Sequence, residues 1–309
     1  LACWSEQYLN DDRQAVDAYQ SALRIEGDTQ AAIEALIRIF TERADWGSLA
    51  EVQQRQLDAT YDEASRVRLL KERAENVWRN LGQVDEARQI FEELISIDDS
   101  NLEPYESLER LLTEQEDFRT LLDVIERKLD AVTYNDDERL SIQKHFISVA
   151  ESIGDRYRAI DVARRAYENH PQDQEVSAVL QRLFIAQESW DDLRDLKEAR
   201  LDLVQGAEKA QLNRELAKLC EDKLGLVDDA IDYLLAAFED NADDTELFQT
   251  ARELMIASMR IDELLDLTER YLDAHQSLSS SERIQLQLEL AHRAQEEGMQ
   301  ERAVDALEA

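Results

Sequence analysis

The sequence predicts an all-α protein, an α-solenoid in which antiparallel helix hairpins stack along the chain. Three observations lead to this prediction: few turn-forming residues, an internal repeat of about 72 residues, and helical spacing of the apolar residues. The 309 residues include only 7 Gly and 2 Pro, whereas a sheet-rich chain of this length needs many more turn residues. The chain is instead rich in strong helix formers such as Ala, Leu, Glu and Arg.

The repeat is visible first in the glycines. Gly82, Gly154, Gly225 and Gly298 follow one another at intervals of 72, 71 and 73 residues. Asn10 stands one period before Gly82, and Asn is the common substitute for Gly in the left-handed conformation just past a helix end. Five residues after each of these positions comes an alanine: Ala15, Ala87, Ala159, Ala230 and Ala303. We therefore predict a turn followed by a helix that packs closely through its small residue.

A second periodic set marks the other half of each repeat. Large apolar residues recur at intervals of 72, 72 and 71, namely Trp46, Phe118, Trp190 and Ile261, and a leucine follows each by three residues. Each repeat thus contains two hairpins, in halves of 34 and 38 residues. We predict one continuous solenoid over 1–309, with repeats 1–62, 63–135, 136–207 and 208–279 and a partial repeat 280–309. This gives about eighteen helices, with N-cap side chains expected from the turn segments 98–101, 135–136, 170–171 and 279–281.

The segment from Gly82 through Ala87 to Phe91 resembles the turn and second helix of a tetratricopeptide repeat (TPR). The same pattern returns around Gly154 and Gly225, whereas the hairpins that contain Trp46 and Phe118 lack the turn Gly and the central Ala. The chain is similar to the long, acidic tandem-repeat proteins of bacteria. The resemblance implies a right-handed superhelix whose concave groove is lined by the first helix of each hairpin, and partner binding rather than chemistry.

The charge of the chain restricts its partners. There are 70 acidic and 35 basic residues, for a net charge of −35, so nucleic acids and anionic membranes should be repelled. Only 7 of the basic residues are Lys. Such a composition is typical of a salt-adapted organism, in which screening weakens self-repulsion, and equally of a GC-rich genome that favours Arg codons.

The sequence predicts no catalytic residue, no cofactor and no metal site. The histidines His145, His170, His275 and His292 share no metal-ligand spacing with one another or with the two cysteines. No apolar run is long enough to cross a membrane. Sparse cysteine fits a reducing compartment such as the cytoplasm. The chain begins at Leu1, without Met, so we expect a piece of a longer protein.

Three arginines are the candidate partner-binding residues. Arg38, Arg110 and Arg182 recur at the 72-residue period on first helices, where guanidinium groups could bind the carboxylates of a peptide. The alternative is a structural brace: Glu34 and Glu106 precede Arg38 and Arg110 by four residues, at ion-pair spacing within a helix. Arg182 lacks such a glutamate.

The expected function is a non-catalytic scaffold that binds a protein or peptide, preferably a basic one. A first alternative is a structural spacer, or a self-assembling segment that stacks end to end through a stripe of Leu286, Leu288 and Leu290. A second alternative is the regulatory repeat region of an enzyme whose catalytic domain lies outside this chain.

Overall fold

The computed structural model describes residues 12–25, 29–132, 134–275 and 278–308. Within these ranges the regular elements are 17 α-helices and two π-helical turns, with no strand. The predicted turn at Asn10 lies outside the described residues. The all-α class is confirmed, and the expected number of about eighteen helices is close to the number described.

The first nine described helices are α1 (Asp12–Ile25), α2 (Gln30–Glu42), α3 (Trp46–Asp58), α4 (Glu63–Glu75), α5 (Val84–Ile97), α6 (Leu102–Glu114), α7 (Phe118–Ala131), α8 (Asp136–Ser152) and α9 (Arg156–Asn169). The later helices are α10 (Gln174–Gln187), α11 (Trp190–Leu201), α12 (Ala207–Leu219), α13 (Val227–Asp240), α14 (Thr245–Ala257), α15 (Ile261–Ala274), α16 (Ser280–Glu296) and α17 (Gln300–Glu308). Helices α4 and α12 continue into the π turns Asn76–Asn80 and Cys220–Leu224.

The chain divides into two compact units, Leu1–Val162 and Ala163–Ala309. In the first unit each helix from α1 to α7 packs against the next one along the chain, and in the second unit each helix from α10 to α16 does so. Helices joined by short turns and packed in sequence form antiparallel hairpins, which is the predicted solenoid arrangement. The repeat boundaries and the handedness of the superhelix stay predictions.

Each tight hairpin turn contains one residue in the left-handed conformation. At Gly82, Gly154, Gly225 and Gly298 φ lies between 65° and 79°, as the glycine spacing predicted. The alternate turns use residues with a side chain, with φ between 53° and 61°, namely Ala44, Glu116, Glu188 and Met259. A left-handed residue with a Cβ costs roughly 1–2 kcal/mol, so these four turns are strained in a way that the sequence analysis did not foresee.

The periodic small and large residues form the core as predicted. The alanines five residues after the turns are buried: Ala15, Ala87, Ala159, Ala230 and Ala303. The leucines of the alternate hairpins are buried as well: Leu49, Leu121, Leu193 and Leu264. Polar caps close the helices, since Asn101 accepts from the backbone N–H of Glu103 and Asn135 from that of Glu138, each at 3.2 Å. Ser279 forms a capping box with Glu282.

The large aromatic residues are less buried than their periodicity suggests. Trp46, Phe118 and Trp190 are each the first residue of a helix and are half-buried. Among the tryptophans that the structure describes, Trp78 is the deeply buried one, and its ring packs edge-on against that of Phe91 with the centroids 6.0 Å apart. Truncation of Trp190 should therefore cost less than the roughly 3–5 kcal/mol of a fully buried ring.

Candidate functional site

The predicted arginines lie on exposed faces of first helices. Arg38 is on α2, Arg110 on α6 and Arg182 on α10; the first two belong to the first unit and Arg182 to the second. Arg38 forms an ion pair with Glu42 at 3.5 Å. The Nε of Arg110 donates to the backbone oxygen of Glu106 at 3.3 Å. These contacts are local to each helix, and a role of the three side chains in partner binding stays a prediction.

Many other cations tie alternate helices together. Arg127 of α7 binds Glu92 of α5 through two hydrogen bonds of 2.8 and 2.9 Å. Arg158 of α9 binds Asp123 and Glu126 of α7 at 3.1 and 2.7 Å. The partners in these pairs are 32 or 35 residues apart, about half of a repeat. The cations of the repeat are therefore largely engaged within it.

The second unit repeats this arrangement. Arg260, which precedes α15, binds Asp232 of α13 at 2.9 Å, and Arg164 of α9 binds Asp192 of α11 at 2.7 Å. In the first unit, the hydrogen bond that Arg127 donates to Glu92 raises the pKa of the Arg127 guanidinium. Each pair is partly exposed, so it contributes on the order of 0.5 kcal/mol. The 70 acidic residues outnumber the 35 basic ones, so the surface keeps a surplus of carboxylates.

A groove on the second unit concentrates part of that surplus. This α12–α14 groove has a volume of about 440 Å³ and lies between two successive first helices. Glu221 and Asp222 of the π turn after α12 and Glu246 of α14 line it, with Leu247 and Ala217 as buried apolar lining. Arg214, also in the lining, is bound to Asp244. The lining also contains Lys218, so three carboxylates and two cations lie beside the apolar surface. The lining keeps a net negative charge, which suits a cationic side chain.

A second cavity lies at the loop edge of the second unit. This loop-edge cavity has a volume of about 510 Å³, and its lining includes Pro171, Gln174, Ser177, Gln181, Arg200 and Leu203. Ser177 is buried, and its Oγ has no hydrogen-bond partner among the described residues. The guanidinium of Arg200 lies 3.7 Å from the carboxylate of Glu208. Aligning the repeats could have singled out Ser177, because the equivalent positions hold Ile33, Tyr105 and Phe248.

The predicted leucine stripe on α16 is only partly exposed. Leu290 is buried and Leu286 packs against the core, because the two lie on the same inward face, four residues apart. The exposed apolar side chains of the last hairpin form what we call the end patch: Ile284, Leu288, Val304 and Leu307. The expectation of a continuous stripe through Leu290 is therefore wrong.

Sites for chemistry are sparse in what the structure describes. Over the described ranges, no three His, Cys, Asp or Glu side chains lie where they could hold a metal ion. Burial raises the pKa of the Cys220 thiol, which makes it a poor nucleophile. Among the helices described, none is long and apolar enough to span a membrane.

Solved structures with helical repeats resemble parts of this chain. YrrB, described as a TPR protein with an unusual peptide-binding site, aligns with 66% of this chain and 99% of its own, at 16% identity and a TM-score of 0.33. A TPR protein from Parabacteroides merdae aligns with 83% of this chain and 93% of its own, at 12% identity and a TM-score of 0.35. The Naa15/Naa10 structure with bound HypK covers 99% of this chain with 56% of its own, at 12% identity and a TM-score of 0.33.

No protein-family model and no curated protein sequence matches the chain. The class of the protein is therefore read from its own helices. Packed helix hairpins, left-handed glycines at alternate turns and a buried alanine five residues later define a TPR-like α-solenoid.

Proposed function

We propose that this chain is a non-catalytic binding scaffold that holds a basic segment of a partner protein in the α12–α14 groove. The observation that supports this most directly is the lining of the groove by Glu221, Asp222 and Glu246 beside apolar surface. A net charge of −35 attracts a cationic partner over a Debye length and raises its association rate. The internal use of arginines as ties between helices leaves the carboxylates to contact the partner.

The test is binding of a fluorescent Lys- and Arg-rich peptide, measured by anisotropy at low and high salt. We expect saturable binding that weakens with salt, and two- to fivefold weaker binding for Glu221→Gln and for Asp222→Asn, about the effect of one partly exposed ion pair. Glu63→Gln and Glu72→Gln on α4, both exposed, are the matched controls and should bind normally. Equal binding of a Glu-rich peptide, or an equal loss in the α4 controls, would contradict the proposal.

The arginines predicted from the sequence would bind an acidic partner segment, whereas the α12–α14 groove would bind a basic one. We keep Arg38, Arg110 and Arg182 as candidates for contacts with carboxylates of a bound peptide. The check is partner recovery in pull-downs with Arg110→Ala and Arg182→Ala, and unchanged recovery would refute the role.

Self-assembly through the end patch is the second candidate function. Ile284, Leu288, Val304 and Leu307 are each more than half exposed on one hairpin, and contiguous exposed apolar surface is typical of interaction sites. Light scattering after size exclusion should give a concentration-dependent mass that falls to the monomer in Leu288→Glu. A monomer at all concentrations in the unaltered chain would eliminate this candidate.

A further inference from the structure

The lining of the loop-edge cavity includes one position at which the other repeats carry a large core residue. The fourth residue of α2, α6 and α14 is a large buried side chain, namely Ile33, Tyr105 and Phe248. The fourth residue of α10 is Ser177, which is also buried, at 4% exposure. The same place in the same type of helix thus holds a large buried side chain in three repeats and a small polar one in this repeat.

The eleventh residue of the following helix also differs between this repeat and the next one. That residue is Tyr271 in α15, whose ring stacks on Phe248 with centroids 3.9 Å apart and planes 7° apart. The same place in α11 is Arg200. One hairpin pair of the second unit therefore contains a stacked aromatic pair, and the preceding one contains a serine and a guanidinium at the equivalent positions.

A third position differs between this cavity and the equivalent place in the first unit. The eighth residue of α6, Glu109, forms a buried ion pair of 3.0 Å with Lys128 of α7. The equivalent residues in α10 and α11 are Gln181 and Arg200, and both line the cavity. The Oγ of Ser177 keeps no partner among the side chains that the structure describes, which is costly unless something else satisfies it.

We propose that the loop-edge cavity binds an aromatic side chain, preferably tyrosine, that is supplied by a partner polypeptide. The ring takes the place that Phe248 fills in the next repeat and stacks on the guanidinium of Arg200, as aromatic rings do on this planar cation. The Oγ of Ser177 is available to hydrogen-bond the polar end of the ligand. The volume of about 510 Å³ lies within the range of small-ligand pockets.

The charges of the lining favour a residue within a chain over a free amino acid. Among the described residues of the lining, Arg200 is the one cation, and Glu208 already lies 3.7 Å from it. Asp173, also in the lining, accepts a hydrogen bond from the N–H of Val176 as the cap of α10. The α-carboxylate of free tyrosine would therefore meet carboxylates without a free cation. Its α-ammonium could pair with one of these carboxylates, but both charges of the zwitterion would have to be desolvated, a cost that a peptide-bonded residue avoids.

This inference goes beyond the proposed groove, since it concerns a different surface and a different partner chemistry. Loss of basic-peptide binding to the α12–α14 groove and loss of aromatic binding here are separate outcomes with separate probes.

The experiment titrates the full chain with N-acetyl-tyrosinamide and follows backbone amide shifts by NMR. We expect saturating shifts at Ser177, Gln181 and Arg200, with a dissociation constant on the order of 1 mM for a ligand of this size. N-acetyl-leucinamide and free tyrosine should both bind more weakly. Tighter binding of free tyrosine would overturn the assignment to a partner polypeptide, and an absence of local shifts would overturn the pocket itself.

Variants separate the pocket from the fold. Ser177→Tyr should fill the cavity and abolish binding, while Ser141→Tyr, the same change at an exposed position of α8, should leave it intact. Ala178→Trp, at an exposed lining position, should block the cavity without altering the core if Ser177→Tyr fails to fold. Arg200→Met should weaken binding about two- to fivefold, as loss of a surface cation–π contact does. Undiminished binding in Ala178→Trp would refute the proposal.

Discussion

The strained turn at Glu188 gives a prediction of unusual sign: removal of its side chain should stabilise the second unit. Glu188 has φ 56°, where a Cβ costs roughly 1–2 kcal/mol. Glycine removes that cost, but it also makes the unfolded chain more flexible, which lowers the free energy of unfolding by about 0.4–1 kcal/mol. The free energy of unfolding should therefore rise by about 0.5–1 kcal/mol in Glu188→Gly. The equivalent turn residue Gly225 has φ 69°, and an added Cβ there would meet no atom within 4 Å. Gly225→Ala should thus lower stability by a similar amount through the backbone alone.

The assay is hydrogen exchange of the amides in α10 to α13, because a repeat protein opens locally and a single global transition is not assured. Protection should rise in Glu188→Gly and fall in Gly225→Ala. Glu188→Ala is the control, since it removes the charge of an exposed side chain but keeps the Cβ. If Glu188→Ala raised protection as much as Glu188→Gly, charge rather than backbone strain would be the cause, and the reasoning would be refuted.

Three further predictions concern the core, the ties between helices and the caps. Phe248→Ser should recreate a Ser177-like gap without its surroundings and cost about 3–5 kcal/mol, measured by urea unfolding; a cost below 1 kcal/mol would show that the position does not need filling. Glu92→Gln should cost no more than about 1 kcal/mol, since its pair with Arg127 is partly exposed; a larger loss on thermal unfolding would show that the ties are cooperative. Asp117, whose pKa is lowered first by its hydrogen bond with Thr120, stabilises the chain when ionised, so this contribution is present above the unfolded pKa and is lost as pH falls below about 4. Asp117→Asn should flatten that part of the acid-unfolding curve, and an unchanged curve would contradict the assignment.

Most of the fold could be predicted because its rules are local and repeated. A glycine at a fixed interval marks a left-handed turn, a small residue marks a close helix contact, and an Asn or Ser marks a cap. Each of these residue types has a physical property that the backbone needs at that place. The left-handed conformation of Glu188 could not be predicted, because its type does not require it; there the tertiary packing of the hairpin imposes the turn.

The candidate site was harder to predict from the sequence, because a periodic pattern reveals only what the repeats have in common. Arg38, Arg110 and Arg182 were selected because they recur, and the structure shows local contacts for the first two. Ser177 departs from the pattern and was overlooked for that reason. The ion pairs between alternate helices could not be predicted either, since their partners lie 28 to 35 residues apart and no local sequence pattern connects segments at that distance.

The ties between alternate helices have a consequence for how such a chain can grow. Arg127 and Arg158 each bind an acidic partner about half a repeat earlier in the chain. A duplicated repeat therefore already carries the residues that attach it to the preceding one. The new copy is held by its neighbours before its own interior has been optimised. A large core residue can then be replaced by a small one, as at Ser177, while the flanking repeats hold the hairpin in place. The structural redundancy of the repeats thus allows a specific pocket to arise.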